Sequence, residues 1–151
     1  MFLDIDGTVS TFRFIDYQIK YNECNYYEAD KNFDPICMKH LRDLIFQTKS
    51  KVVISSSWRV SEKLMNEIKY NFNKFNIGSD KIIGKTNYNA KTRGEQIDEW
   101  IEDNVHKIKN YVILDDEICD IHQQNNLVQC DSYCGFRENN FKQALEILNM
   151  K

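Results

Sequence analysis

Three clusters of polar side chains in this sequence could act together in chemistry, because each directly follows a short apolar run. They are Asp4 to Thr8 (Asp-Ile-Asp-Gly-Thr), Ser55 to Ser57, and Asp115 with Asp116. Two carboxylates separated by one residue repel each other and need a counter-charge, which a divalent cation with oxygen ligands supplies. Because no histidine accompanies these acids, the donor set suits magnesium better than zinc.

Each cluster taken alone also has an ordinary structural explanation. Asp6-Gly7 is typical of a tight turn, and Asp115-Asp116 is typical of the cap between a strand and a helix. The clusters occur together, however, and each comes after an apolar run. This joint occurrence favours a shared site over three unrelated turns.

The elements that must position these clusters alternate along the chain. Short apolar runs predict strands at Phe2-Leu3, Val52–Ile54, Tyr111–Leu114 and Leu127-Val128. Apolar residues at helical spacing predict helices over about 35–49, from 64 to 75, from the Thr92/Glu95 capping box onward, and from 141 to 148. Strands buried on both faces and separated by helices predict an α/β fold with a mainly parallel central sheet. Because ligands bind beyond the carboxyl ends of such strands, we expect the three clusters at one edge.

Residues 9–33 do not follow this alternation. Phe12/Phe14 and Tyr17/Ile19/Tyr21 alternate with other residues, which predicts a small hairpin. We interpret 9–33 as a very small cap insertion after the first strand, within a single domain spanning 1–151. The segment carries seven aromatic side chains, namely Phe12, Phe14, Tyr17, Tyr21, Tyr26, Tyr27 and Phe33.

Composition and charge exclude several classes of protein. The net charge of -3 argues against a general nucleic-acid coat protein and leaves room only for a local basic groove. No run of 18 apolar residues exists and no leader opens the chain, so we expect a cytoplasmic protein with no membrane partner. The five cysteines lack paired spacing, which favours free thiols over a disulfide framework or a zinc site. Trp58 and Trp100 are expected in the core.

The motifs resemble those of the haloacid dehalogenase (HAD) superfamily, whose fold is a Rossmann-like three-layer sandwich. Residues 2–8, Phe-Leu-Asp-Ile-Asp-Gly-Thr, are similar to its first signature, and 52–56, Val-Val-Ile-Ser-Ser, to its second. Residues 115–120, Asp-Asp-Glu-Ile-Cys-Asp, match the fourth. Ser-Ser-Ser-Trp-Arg at 55–59, with Arg-Gly-Glu at 93–95 and Trp100, further resembles the branch found as phosphatase modules in RNA-repair proteins.

The resemblance implies a phosphotransfer site. Asp4 would be the nucleophile that forms an aspartyl-phosphate, and Asp6 would serve as general acid and then general base. Mg²⁺ would bridge Asp4, the backbone carbonyl of Asp6 and a carboxylate of the fourth signature. Asp116 is the preferred ligand there, Asp115 is its competitor, and Asp120 is a supporting acid.

The resemblance also implies which residues would bind phosphate. Ser56 would hydrogen-bond the phosphoryl oxygens, or Ser55 would if the strand ends one residue earlier. The cation of the third signature would be Lys91, with Lys85 and Arg93 as the alternatives. The whole phosphate-binding set is Ile5, Asp6, Ser55, Ser56, Ser57, Lys91 and Arg93, and the catalytic set is Asp4, Asp6, Ser56 and Lys91.

We therefore expect a magnesium-dependent phosphohydrolase acting on a phosphomonoester, with a bulky or polymeric substrate because the cap is minimal. One alternative is a polynucleotide-end phosphatase acting on 3′ or 5′ phosphates in nucleic-acid repair. The aromatics of 9–33 would then stack on bases, whereas otherwise they pack on the domain. Another alternative is a binding module that kept the fold and lost turnover, against which the presence of both Asp4 and Asp6 weighs.

Overall fold

The computed structural model describes residues 1–150 and contains one sheet of five parallel strands. The spatial order is β3-β2-β1-β4-β5, so β1 lies at the centre. Phe2 pairs with Val53 on one side and with Ile113 on the other. The strands are β1 (Phe2–Leu3), β2 (Val52–Ile54), β3 (Ile82–Lys85), β4 (Ile113–Asp115) and β5 (Leu127–Gln129).

The helices between the strands begin at the signals found in the sequence. The Asp34 side chain accepts a hydrogen bond from the N–H of Ile36, and Pro35 occupies the first turn of α3. Thr92 and Glu95 form the reciprocal capping box that starts α5. The helices are α1 (Phe12–Asn22), α2 (Tyr26–Ala29), α3 (Pro35–Thr48), α4 (Glu62–Lys74), α5 (Arg93–Asp103) and α6 (Glu138–Asn149). Within residues 1–150, none of them combines the length and apolar character needed to cross a bilayer.

The sheet buries both of its faces. Alternate strand residues, such as Leu3 and Ile54, join one apolar cluster with α3, α4 and α6, whereas Phe2 and Val53 join a second cluster with Ile97 of α5. This alternation follows from the two-residue period of a strand. The result is three layers, which confirms the predicted Rossmann-like α/β fold.

The hairpin expected in the aromatic segment is wrong, because residues 12–22 form helix α1. Thr11 caps this helix, and its Oγ1 accepts a hydrogen bond from the N–H of Phe14 at 3.2 Å. Ile15 and Gln18, three residues apart, are its buried side chains. The alternating aromatics misled the prediction because rings such as that of Tyr21 are exposed and do not define the packed face.

Strand β3 was not predicted from the sequence. It is an edge strand, its residues alternate between half-buried and exposed, and Gly84 interrupts its apolar run. A Cβ at Gly84 would lie 3.3 Å from Nε1 of Trp100, so the glycine allows the indole to pack closely against the strand. Trp100 is accordingly half-buried on the second apolar cluster, whereas Trp58 is buried as expected.

Candidate active site

The carboxyl edge of the sheet brings the three polar clusters together around Asp4. The N–H of Asp4 donates to the carbonyl of Leu114 at 2.9 Å, and the N–H of Ser55 donates to the carbonyl of Leu3 at 3.0 Å. These bonds continue the pairing of β1 with both neighbouring strands. They fix Asp4 between Ser55 and Asp115, at the centre of the edge where α/β folds bind ligands.

Three carboxylates converge at this edge. One oxygen each from Asp4, Asp115 and Asp116 lies within 4.8 Å of the others. Burial, followed by the negative charge of Asp4, raises the pKa of Asp115 to about 7 and that of Asp116 to about 6. Burial also raises the pKa of Asp4, although the neighbouring Arg93 works in the opposite direction. The cluster therefore needs positive charge in order to stay ionised at neutral pH.

Arg93 supplies part of that positive charge from the first residue of α5. Its Nη1 donates to Oδ1 of Asp4 at 2.7 Å and to Oδ2 of Asp115 at 2.5 Å. Burial alone would lower the pKa of Arg93, but the two carboxylates raise it above the ordinary value. The guanidinium is thus held charged between two acids.

The structure does not bring the two candidate lysines to Asp4. The Lys91 side chain is exposed and, among residues 1–150, it makes no ion pair or side-chain hydrogen bond, although its backbone N–H donates to Glu95. Lys85 ends β3 and donates from Nζ to the carbonyl of Arg59 at 2.8 Å. Of the three cations considered from the sequence, Arg93 is the one in contact with Asp4.

Asp6 is exposed, and its side chain is held by a hydrogen bond from the Trp58 indole. Oδ2 of Asp6 accepts a hydrogen bond from Nε1 of Trp58 at 2.9 Å. Trp58 is buried against Phe33, with ring centroids 5.8 Å apart. Burial raises the pKa of Asp6, while the bond from Trp58 acts to lower it. Sequence reasoning placed Trp58 in the core but missed this contact, because the two residues are 52 positions apart in the sequence.

The serines after β2 are placed differently from one another. Ser56 is buried, and its Oγ accepts a hydrogen bond from the N–H of Trp58 at 3.3 Å. Its hydroxyl also acts to lower the pKa of Asp4, against the larger effect of burial. The buried Oγ of Ser55 has no partner among residues 1–150. Ser57 is exposed and starts a short 3-10 turn. Of the three serines, Ser56 is therefore the one whose hydroxyl acts on the pKa of Asp4.

A buried arginine, Arg59, which sequence reasoning missed, fixes the segment Ser55 to Ser57 through hydrogen bonds. Arg59 Nη1 donates to the carbonyls of Ser55 and Ser56, both at 2.7 Å. Its other donors reach the Thr86 carbonyl at 3.0 Å and Gln96 Oε1 at 2.6 Å. These acceptors lie far apart in the sequence and meet at one side chain only in the folded structure. Sequence reasoning therefore gave Arg59 no role, although the motif at 55–59 contains it.

The remaining predicted residues form the rim of the site. Gly7 adopts φ 69°, and a Cβ there would collide with the Asp116 carboxylate, so only glycine fits this approach. Asp120 is exposed and its Oδ2 accepts from the backbone N–H of Arg93 at 3.0 Å, at the start of α5 rather than among the three carboxylates. Ile5 is buried, and its carbonyl accepts hydrogen bonds from the turn that follows it.

The donor set fits a magnesium ion. When all are ionised, the three carboxylates and the Arg93 guanidinium leave a charge of -3 + 1 = -2, which one divalent cation balances. Asp115 already bonds Arg93 and accepts from the N–H of Glu117, whereas Asp116 has no ion-pair partner in the part of the chain that the structure describes. Oxygen-only ligands of this kind suit a hard cation.

A parallel Rossmann-like sheet with an Asp-x-Asp turn and paired acids at one edge defines a HAD-type domain. The family model described as "HAD domain in Swiss Army Knife RNA repair proteins" matches residues 1–141. The chain belongs to this family. Comparisons with curated proteins and with solved structures found no match.

Proposed function

We propose that this protein is a magnesium-dependent phosphomonoester hydrolase that acts through an aspartyl-phosphate on Asp4. The observation that carries the proposal is the setting of Asp4. It is buried at the centre of the sheet edge, bonded to Arg93, and within 4.8 Å of Asp115 and Asp116. A carboxylate held among a cation and two further acids suits nucleophilic attack on phosphorus.

Asp4 and Asp6 divide the reaction into two steps. In the first, an Asp4 oxygen forms a bond to phosphorus, the bond to the leaving oxygen breaks, and Asp6 gives that oxygen a proton. In the second, water attacks the same phosphorus, Asp6 takes the proton from the water, and the bond to Asp4 breaks. Inorganic phosphate leaves and Asp4 is regenerated. The pKa of Asp6, raised by burial, suits a group that must hold and release a proton.

The other residues of the site orient the phosphoryl group. Arg93 provides a guanidinium that would lie against both the nucleophile and the phosphoryl oxygens, and Ser56 provides a hydroxyl beside it. Asp4, Asp116 and the carbonyl of Asp6 would hold the Mg²⁺, with Asp120 supporting the loop through Arg93. When bound, the ion neutralises phosphate charge and orients the group for in-line attack.

A polynucleotide end is the second candidate substrate, on the ground of the exposed aromatics on the two helices that follow the Asp4 turn in the sequence. Tyr17, Tyr21 and Tyr27 are 50%, 61% and 77% exposed on α1 and α2, the helices that directly follow the Asp4 turn. The Tyr17 and Tyr21 rings lie 4.9 Å apart. Exposed aromatic rows of this kind offer stacking surfaces for unpaired bases. The RNA-repair description of the family supports the same class of substrate.

Phosphate release by Asp4→Asn tests the proposal. The variant and the wild type are compared with Mg²⁺ on an aryl phosphate and on oligonucleotides carrying a 3′ or a 5′ phosphate. We expect a folded variant with no turnover, because an amide is isosteric with the carboxylate but cannot attack phosphorus. Asp103→Asn, a matched exposed change at the end of α5, should keep full activity. Undiminished hydrolysis by folded Asp4→Asn would contradict the proposal.

A further inference from the structure

The amino edge of the sheet, opposite the candidate active site, carries a separate cavity of 390 Å³. It lies between the starts of β1, β2 and β4, next to the C-terminal ends of α3 and α6. None of the residues assigned to the candidate active site lines it. The cavity is therefore a second feature that the proposed hydrolysis does not use.

One wall of the cavity is aromatic. Trp100 and Tyr111 each pack edge-to-face on the buried Phe2 ring, with centroids 5.5 and 5.8 Å away and interplanar angles of 87°. Both outer rings are only half-buried. Within residues 1–150, Trp100 Nε1 and the Tyr111 hydroxyl make no hydrogen bond. The wall thus offers two flat faces, each with an unused donor, to a planar ligand.

The remainder of the cavity is cationic, although the chain as a whole has a net charge of -3. No aspartate or glutamate lines it. None of its lysines makes an ion pair within residues 1–150, so their charges are available to an anion. The lining lysines are Lys49, Lys51, Lys107 and Lys109.

We propose that this cavity binds a nucleoside phosphate, with the base against Trp100 and Tyr111 and the phosphate among the lysines. Aromatic faces that stack bases and lysines that attract phosphate are the two components of nucleotide recognition. The volume of 390 Å³ falls within the range of small-ligand sites, about 300–1,000 Å³. The nucleotide is either free or one unit of a polynucleotide strand. The site shares no residue with the proposed hydrolysis and stands independently of it.

Two of the lysines are best suited to a test. Lys49 is the C-cap of α3, where the helix carbonyls already favour a cation, so its charge has a structural role. Lys107 and Lys109 lie in the connection between α5 and β4 and end no α-helix. Reversing their charge should therefore weaken binding of the anion without affecting an α-helix terminus.

The two tryptophans of the chain report on the two sites separately. Trp58→Phe leaves Trp100, at the cavity, as the sole tryptophan, and Trp100→Phe leaves Trp58 at the candidate active site, so tryptophan-selective excitation reports on one site in each variant. Each variant is titrated with AMP in the presence of a chelator, so that turnover does not interfere. We expect saturable quenching in Trp58→Phe and none over the same range in Trp100→Phe.

Charge variants then test which groups hold the phosphate. In the Trp58→Phe background, Lys107→Glu with Lys109→Glu should weaken AMP binding by about tenfold or more, since two phosphate-facing charges are reversed. Lys63→Glu with Lys69→Glu, exposed on α4, changes the net charge equally and should leave the affinity unchanged. Adenosine, which lacks the phosphate, should bind at least about tenfold more weakly than AMP.

A tetranucleotide titrated in parallel identifies the source of the ligand. If the titration gives a higher affinity for the tetranucleotide than for AMP, the site binds a polynucleotide strand. If the affinity is equal or lower, the site binds a free nucleotide. The inference is overturned if AMP does not quench Trp100 saturably, or if the two charge variants weaken binding equally. If Trp58→Phe does not fold, as judged by circular dichroism, the difference between wild type and Trp100→Phe gives the same readout. The activity of Asp4→Asn has no bearing on this result.

Discussion

At the scale of single residues, the site depends on one guanidinium shared by two acids. Arg93 bonds Asp4 and Asp115, whereas Asp116 makes no ion pair within residues 1–150 and is the carboxylate available to the proposed Mg²⁺. The carboxylates were predictable from the sequence, because the turn and the strand ends that carry them are local. Which cation meets them was not, because Lys91 and Arg93 are two residues apart and only the start of α5 decides which side chain turns inward.

Removing Arg93 should abolish most of the activity. We expect Arg93→Met to lower kcat by about 10²–10³-fold, because a positive charge facing the transferred phosphoryl group is lost. Arg93→Lys should keep part of the activity, since it retains the charge without the fixed guanidinium geometry. Steady-state kinetics with an aryl phosphate measures both.

Lys91→Met, assayed beside these variants, distinguishes the two cations. We expect its kcat to remain near that of the wild type, because the exposed side chain makes no contact with Asp4. Lys63→Met, exposed on α4, is the matched control for loss of a distant positive charge. A larger loss of kcat in Lys91→Met than in Arg93→Met would show that Lys91, and not Arg93, is the cation that faces the phosphoryl group.

At the scale of elements, the sequence predicts those helices and strands that local periodicity and capping residues define. Helices α3 and α5 start at their caps, and β2 and β4 are short buried runs. Helix α1 was mistaken for a hairpin because its aromatics face solvent and mask the buried pair of Ile15 and Gln18. The same aromatic segment distinguishes the two candidate classes of substrate.

Replacing Tyr26 and Tyr27 by Ala should affect polynucleotide substrates selectively. Their side chains are 47% and 77% exposed on α2, so little packing is lost. Loss of stacking costs about 1–3 kcal/mol per base, which weakens oligonucleotide binding by about fivefold to a hundredfold. Hydrolysis of a small aryl phosphate should change little. The ratio of kcat/KM for the two substrates is the measurement.

Tyr70→Ala, 61% exposed on α4, is the matched control and should leave both activities intact. If the double variant loses both activities together, the tyrosines are structural. If it loses neither, the aromatic segment does not contact the substrate and the polynucleotide candidate loses its support.

At the scale of the whole molecule, the sheet separates two charged edges. The carboxyl edge holds acids around one arginine. The amino edge holds lysines that make no ion pair within residues 1–150, around an aromatic wall. Acidic convergence at one edge could be foreseen, since parallel strands place their ends together. The basic edge could not, because its lysines come from α3, from the residue before β2, and from the segment before β4.

Asp115 and Asp116 should contribute less to the stability of the metal-free protein as pH rises from about 4 to about 7. Their folded pKa values, about 7 and about 6, lie above the ordinary value of 3.8. In that window these two carboxyls bind more protons in the folded state than in the unfolded state, so their contribution to the free energy of unfolding decreases with rising pH. The Met1 amino group and His40, whose pKa values are both lowered by burial, act in the opposite direction, because they bind more protons in the unfolded state. Calorimetric Tm values of the wild type and of Asp116→Asn, each at pH 5 and 7.5, separate the carboxyl contribution from theirs.

Mg²⁺ and Asp116→Asn should each make the change in Tm from pH 5 to pH 7.5 more favourable than it is in the metal-free wild type. The ion binds the ionised carboxylates of the folded state and raises Tm most at pH 7.5. The asparagine removes one of the raised pKa values. A change in Tm from pH 5 to pH 7.5 that is the same in Asp116→Asn as in the metal-free wild type would contradict the electrostatic description of the site.

The most direct test of the account is to trap the phosphorylated enzyme. A substrate with a labelled phosphoryl group is mixed with the protein and Mg²⁺, quenched in acid within one turnover, digested and analysed by mass spectrometry. We expect a hydroxylamine-sensitive phosphate on the peptide that contains Asp4, and none on the same peptide of Asp4→Asn. Turnover of the same substrate with no phosphate on Asp4 at any quench time, or with the label on another residue, would contradict it.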